Sequence, residues 1–178
     1  IADAAANADN PFPSDGPNIV ALGRLAQVKN HRQLLRAVPS LLEKHPTANV
    51  WLLGDGELKS SLMELRRDLR IESNVHFAGF QANPFPWLSH ADLFVLCSLN
   101  ESSPNALLEA VACGCPTVST EHPGGTREIH ERLGIAHRLT PRLEDWADAW
   151  FERPDAEVRD RAEATFAAAN VAELYARV

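Results

Sequence analysis

Residues 93–109, Leu93-Phe94-Val95-Leu96-Cys97-Ser98-Leu99-Asn100-Glu101-Ser102-Ser103-Pro104-Asn105-Ala106-Leu107-Leu108-Glu109, decide the fold. The apolar run from Leu93 to Cys97 reads as a parallel strand buried on both faces. The apolar residues that resume at Ala106 read as a helix continuing through Cys113, with Ser103 as its cap and Pro104 at its first position. Strand, polar loop and helix in immediate succession form the repeating unit of an α/β protein. A helix N-terminus in that setting has unpaired N–H groups and a partial positive charge, so it attracts phosphate. Glu101, before the helix, and Glu109, inside it, could accept hydrogen bonds from hydroxyl groups beside such a phosphate. Glu109 has two readings at this point. Its apolar neighbours bury it and oblige it to find donors, or it shares a solvent-facing stripe with Asn105 one turn earlier.

The flanking sequence repeats the same unit. Asn18-Ile19-Val20-Ala21-Leu22-Gly23 is a short buried strand, followed by Arg24 and Lys29 in a loop. A helix then opens at Asn30, with Gln33 three residues on and Leu34, Leu35, Val38, Leu41 and Leu42 at helical spacing. Pro39 is expected to kink it or end it early. Asn49-Val50-Trp51-Leu52-Leu53 is a second strand. It leads through Gly54-Asp55-Gly56 into a helix bearing Leu58, Leu62, Leu65 and Leu69. The third glycine of a dinucleotide fingerprint is missing there, so Gly54 and Gly56 read as a tight turn that lets a ligand approach the backbone.

Further strands are expected at Asn74–Phe80, Pro116–Thr120 and around Ala136–Leu139, with a short proline-bounded helix or turn at Pro84–Leu88. His76 alternates with apolar residues and reads as structural. The segment Glu121 to Glu128, with its Gly124-Gly125 pair, reads as a flexible loop. Helices from Leu143 to Glu152 and from Asp155 to Val178 close the chain, with Trp146, Trp150 and Phe166 as packing anchors. Residues 1–17, rich in Ala, Asp, Asn and Pro, read as a linker or strap.

Alternation of strand and helix throughout predicts an α/β, Rossmann-like, doubly wound parallel sheet. Right-handed crossovers would bring the loops at Gly23, Gly54, Gly79, Glu101 and Glu121 to one rim, where ligands bind in such sheets. Arg24 and Lys29 at that rim suit a diphosphate; the alternative is that they are ordinary surface charges.

Composition narrows the partners. At 178 residues with 45% hydrophobic content, the chain suffices for one domain with a full core. A formal charge of −7 argues against nonspecific nucleic-acid binding. Cys97, Cys113 and Cys115 fit neither a disulfide framework nor a zinc pattern, and read as free thiols in a reducing cytoplasm. No apolar run is long enough to span a bilayer.

Several motifs occur in a familiar order: Gly23-Arg24 with Lys29, Gly54-Asp55-Gly56, Gly79-Phe80 and Ala91-Asp92-Leu93-Phe94-Val95. Glu101 and Glu109 follow with seven residues between them, then Leu108-Glu109-Ala110, Gly114-Cys115-Pro116 and Pro123-Gly124-Gly125 with Glu128. The set resembles the donor-binding C-terminal domain of retaining GT-B glycosyltransferases of the family 4, or "glycosyl transferases group 1", type. That family includes lipopolysaccharide, capsule and phosphatidylinositol mannosyltransferases. The resemblance is strong from Asn18 to Ile129 and weak in the tail.

The resemblance implies one half of a GT-B fold, residues 18–178, whose N-terminal acceptor domain is absent. Arg24 and Lys29 would hold the diphosphate and stabilise the charge of the leaving nucleoside diphosphate. Amides at the start of the Pro104 helix would share those phosphates. Glu101 would contact donor-sugar hydroxyls, Glu109 the ribose, and the backbone near Gly79 and Phe80 the base. Gly23, Gly54, Ser102, Ser103, Asn105 and Ala106 would complete the donor site. Ser102-Ser103 depart from the Gly-Phe or similar pair of many relatives, in the part of the motif that shapes the sugar pocket.

No cofactor or metal is implied, only a nucleotide-diphospho-sugar, with UDP favoured over GDP or ADP. The acceptor would be a glycan or lipid-linked molecule in cell-envelope polysaccharide synthesis. The protein would be cytoplasmic, touching the inner membrane face through the missing domain, and the final helix would cross back to that domain. The isolated chain would transfer sugar poorly or not at all. A GT-B-type nucleotide-sugar epimerase and a non-catalytic nucleotide-binding module are the alternative readings. A receiver-like domain would need acidic residues where the first strand ends in Gly23-Arg24.

Overall fold

A computed structural model of the chain describes residues 9–13, 16–102 and 104–168, without the side chains of Ala149 and residues 166–168. The expected Ser103 cap, the Phe166 anchor and the last helical stretch from Val171 lie outside what is described.

Six parallel strands form one sheet in the order β3-β2-β1-β4-β5-β6. They are β1 (Asn18–Leu22), β2 (Asn49–Leu53), β3 (Val75–Gly79), β4 (Leu93–Leu96), β5 (Thr117–Thr120) and β6 (Leu139–Thr140). The chain adds strands outward on one side of β1 and then, from β4, on the other, which makes the gap beyond the carboxyl ends of β1 and β4 the switch point where Rossmann-type sheets take ligands. In-register pairs such as Val20↔Trp51 and Val20↔Phe94 lock β1 as the central strand.

Strand periodicity divides the core into two layers. Ile19, Ala21, Val50, Leu52, Val75, Leu93 and Val95 face helices α1 (His31–Lys44) and α2 (Lys59–Asp68), which supply Leu34, Val38, Leu41 and Leu62. Val20, Trp51, Leu53, Phe94 and Leu96 face the opposite way. There they meet Leu88 of α3 (Phe85–His90), Leu107, Leu108 and Val111 of α4 (Asn105–Ala112), and Val158 and Ala162 of α6 (Ala156–Ala168). Phe12 docks on this second layer, its ring 5.7 Å from Trp51 and 5.2 Å from Trp87, so part of the N-terminal strap is packed down. His76 stacks on Trp51 at 4.1 Å and bonds Asn49 at 2.8 Å, the structural role its spacing suggested.

Several local expectations are corrected. Pro39 sits inside α1 without ending it. Asn30 does not cap α1 through its side chain, which bonds the Gln33 amide oxygen at 2.8 Å instead. Its left-handed backbone, at φ 50°, turns the chain from the 3-10 turn Gln27–Lys29 into the helix. The segment Leu143–Glu152 is not one helix but two 3-10 turns, Leu143–Asp145 and Asp148–Phe151. The break falls at Trp146, fully buried and bonded through Nε1 to the Ala37 carbonyl at 2.8 Å, so a long-range contact overrides local propensity. The expected loop of Glu121 to Glu128 ends early, because its last three residues open helix α5 (Thr126–Leu133), which is ended by Gly134 at φ 75°. Ala136–Arg138 is a 3-10 turn, and only Leu139–Thr140 pairs as strand.

Candidate functional site

The site is assembled at the carboxyl edge, beginning with the loop after β1. Gly23 adopts φ 149° and its missing Cβ leaves room for Lys29, whose Cε would stand 3.2 Å from such an atom. The Lys29 stem therefore crosses over Gly23 and carries its ammonium toward β4. The Gly54-Asp55-Gly56 turn also has a packing role. A Cβ on Gly54 would stand 2.0 Å from the Gly23 carbonyl oxygen, and one on Gly56 2.6 Å from that of Leu25. These glycines let the loops after β1 and β2 pack backbone to backbone, and Leu25 N bonds the Asp55 carbonyl at 2.9 Å.

Across the switch point, Lys29 Nζ meets Glu101 Oε1 at 2.5 Å, though the two residues are 72 apart in sequence. Both side chains are largely shielded from solvent, 25% and 12% exposed, so salt screens the pair less than it would a surface ion pair. Ser98 Oγ donates to the same Glu101 oxygen at 2.7 Å. Leu99 N bonds the Val28 carbonyl at 2.8 Å, and Cys97 Sγ donates to the Lys29 carbonyl at 3.3 Å. The loops after β1 and β4 are thus tied to each other on both sides of the ion pair. Glu101 is anchored a third time, as an isolated parallel bridge with Gly124 and through its carbonyl, which accepts Gly125 N at 2.8 Å. The Gly124-Gly125 pair is therefore packed and hydrogen-bonded against the Glu101 main chain.

Arg24 is exposed and its guanidinium takes no partner among the described residues. It lines an open pocket of about 490 Å³ with Gly23, Gly54, Asp55, Phe80 and Gln81. Phe80 is 77% exposed, a large apolar ring at the mouth of that pocket. Arg24, Gly23, Gly54 and Phe80 are thereby brought together as the motifs implied. Gly79, at φ 73°, ends β3 beside them, and its carbonyl accepts Gly54 N at 2.8 Å.

Helix α4 opens at Asn105, with Pro104 as its cap residue and no side-chain cap bond, one position later than the sequence suggested. Ser102 is exposed, Pro104 buried, and Asn105 and Ala106 half-buried at the helix start. Glu109 lies one turn inside, half-buried, and burial raises its pKa above the usual carboxylate range. Among the described residues nothing hydrogen-bonds its carboxylate, and no contact joins it to Arg24, Lys29 or Glu101.

Ser98 was not foreseen as a site residue. Only its position directly after a buried strand, at the binding edge, could have marked it. No group of three His, Cys, Asp or Glu side chains placed to hold a metal occurs among the described residues.

A Rossmann-like sheet with a cation–carboxylate pair at its switch point is the architecture of a ligand-binding α/β domain. The chain belongs to the family described as Glycosyl transferases group 1, whose model matches residues 16–152. It is 42% identical over 110 residues to an uncharacterised glycosyltransferase of Methanocaldococcus jannaschii, covering 62% of this chain and 27% of that protein. It is 36% identical over 111 residues to a Campylobacter jejuni enzyme named N-acetylgalactosamine-N,N'-diacetylbacillosaminyl-diphospho-undecaprenol 4-alpha-N-acetylgalactosaminyltransferase, covering 62% and 30% of the two chains. The chain thus spans less than a third of either relative's length. The fold is shared with Anabaena HepE, solved in complex with UDP-glucose, at a TM-score of 0.68 and 22% identity, over 92% of this chain and 50% of that one. Among the described residues no helix is long and apolar enough to cross a membrane.

Proposed function

We propose that residues 18–178 are the donor-binding C-terminal domain of a retaining GT-B glycosyltransferase. Such an enzyme moves a sugar from a nucleotide-diphospho-sugar to a glycan or lipid-linked acceptor. The observation that carries this reading is the Lys29–Glu101 pair at the switch point of a family member's sheet. It sets a cation suited to phosphate beside a carboxylate suited to hydroxyls.

In this reading Arg24 and Lys29 bind the diphosphate and stabilise the charge that grows on it as the glycosidic bond to the donor breaks. The N–H groups at the start of α4, around Asn105 and Ala106 after Ser102 and Ser103, contribute to the same anion site. Glu101 accepts hydrogen bonds from the donor sugar, and Glu109 from the ribose, which gives its half-buried carboxylate hydroxyl donors. Phe80 and Gly79 border the base, in the pocket that Gly23, Gly54 and Arg24 also line.

Support for a UDP-sugar comes from the Anabaena neighbour, and for a lipid-linked acceptor from the Campylobacter relative's name. Residues 1–17 then form the linker to an N-terminal acceptor domain, consistent with the small share of its relatives that this chain spans. The enzyme works in the cytoplasm, meeting the inner membrane face through that domain, and the isolated chain binds donor without transferring sugar.

The test is calorimetric titration of the chain with UDP-, GDP- and ADP-sugars, alongside Arg24→Ala. Binding of one class, weakened at least tenfold by the substitution, supports the reading. No binding by any of them overturns it.

A further inference from the structure

The Glu101 carboxylate is held unequally. Oε1 receives Lys29 Nζ at 2.5 Å and Ser98 Oγ at 2.7 Å, while Oε2 receives no hydrogen bond among the described residues. We infer that Ser98 is a positioning residue, whose hydroxyl orients Glu101 so that Oε2 is presented to a hydroxyl of the donor sugar. The inference rests on the proposal that Glu101 contacts that sugar.

Ser98 is built to hold one geometry. It is 2% exposed, and both neighbours are tied to the loop after β1. Cys97 Sγ donates to the carbonyls of Lys29 and Asn30, and Leu99 N to that of Val28. Three residues on, the Glu101 main chain is pinned to Gly124 and Gly125. With both ends of the 98–101 segment fixed, the hydroxyl and the Lys29 ammonium together set how the carboxylate is rotated about its last bond.

The two partners of Oε1 differ in what donor binding does to them. Lys29 is a cation, so an arriving diphosphate competes for its ammonium and can draw it off Glu101. A serine hydroxyl is neutral and buried, and the diphosphate offers no comparable attraction. Ser98 is therefore the restraint that persists when the site fills and the sugar must be gripped. A serine has one proton to donate, and here it goes to Oε1. Removing it frees the carboxylate to rotate in the filled site, where the sugar contact is made.

This role separates cleanly from a structural one. A hydroxyl that merely supports the loop would affect every ligand at the edge alike. One that acts through Glu101 affects only ligands bearing a sugar, and only while Glu101 is present.

The experiment is calorimetric titration of the chain, Ser98→Ala, Glu101→Ala and the double variant with UDP-glucose, UDP-N-acetylglucosamine and GDP-mannose. UDP and GDP serve as the sugarless comparisons, and melting temperatures confirm folding. For the sugar nucleotide bound best, Ser98→Ala is expected to weaken affinity about tenfold, the size of one hydrogen bond to a charged group. Affinity for the parent nucleotide should stay within about twofold, and in the Glu101→Ala background the second substitution should add nothing. Equal losses for both ligand kinds, an additive double variant, or no loss where Glu101→Ala does cause one would overturn the role of Ser98 alone. Indifference of sugar-nucleotide binding to Glu101→Ala overturns the sugar-contact proposal, and the inference with it.

Discussion

Gly124 lies so close to Glu101 that a Cβ on the glycine would stand 2.2 Å from the Glu101 carbonyl oxygen. Its backbone also sits at φ 114°, a region that side chains disfavour. The glycine is the means by which the loop after β5 holds Glu101 in place beside Lys29. Gly124→Ala should therefore destabilise the fold by about 1–3 kcal/mol through strain alone. It should also weaken sugar-nucleotide binding, since the Glu101 main chain must shift. Urea unfolding and ligand titration of the same variant check both effects. Wild-type stability and affinity together would contradict the constraint.

Two buried histidines set an acid limit on stability. Burial, and second the charge of Lys29, lowers His31 from 6.5 to about 4. His130 also falls to about 4, chiefly through burial, against a smaller opposing effect of its bond to the Thr126 carbonyl. Neither His31 Nδ1 nor His130 Nε2 has a hydrogen-bond partner among the described residues. Both are neutral in the folded state above pH 4, whereas in the unfolded chain they gain protons below about pH 6.5. Stability should be independent of these groups above that pH and fall between pH 6.5 and 4, each costing up to about 3 kcal/mol. Unfolding free energies of wild type and His31→Leu across that window test this. The variant should lose part of the slope, and an unchanged slope would count against a neutral His31.

The strap residue Phe12 is 7% exposed between Trp51 and Trp87. Phe12→Ala removes a buried aromatic ring and should cost about 3 kcal/mol, less if the strap detaches without unfolding the rest. Tryptophan fluorescence distinguishes the two, because detachment exposes Trp51 and Trp87 before the main transition. A single transition at the wild-type midpoint would mean that Phe12 contributes nothing.

Glu109 gives the donor site a pH signature. Burial raises its pKa, and hydroxyl donors from a bound ribose would stabilise the charged form. Donor affinity should therefore weaken as pH falls through the raised value, because the carboxyl must lose its proton to accept ribose hydroxyls through both of its oxygens. Glu109→Gln should bind more weakly at pH 7 and lose that pH dependence. Titrations from neutral pH down through the whole carboxylate range decide it, and an identical profile in the variant removes Glu109 from the site.

Most of the sheet was legible in the sequence because parallel strands are buried on both faces. Runs such as Val50-Trp51-Leu52-Leu53 and Leu93-Phe94-Val95-Leu96 stand out as unbroken apolar segments. Helix α5 was not, since Thr126, His130 and Leu133 form its buried face and two of those three are polar. Its signals were Ile129 and Leu133 four apart, with Gly134 closing the last turn. Trp146 shows the opposite failure, where local spacing suggested a helix that a bond to Ala37 forbids. At the site, residue types and order pointed to Lys29 and Glu101, but their contact depends on β1 lying next to β4. The work of Gly54 and Gly124, holding loop against loop, is a property of packed backbones that a turn-like sequence does not disclose. Ser98 became visible only once its hydroxyl was seen on Glu101.

The most direct measurement of the central claim is residue-resolved mapping of ligand contacts by amide NMR during titration with UDP-glucose, UDP-N-acetylglucosamine and GDP-mannose. The comparison surface is the smaller pocket on α2 lined by Ser60, Met63, Glu64, Arg66 and Arg67. If the carboxyl edge is the donor site, the perturbed amides should cluster at residues 23–30, 54–56, 79–81 and 98–109, and Lys29→Ala should abolish the pattern. Perturbations confined to residues 59–68, or a pattern unaffected by Lys29→Ala, would contradict the account.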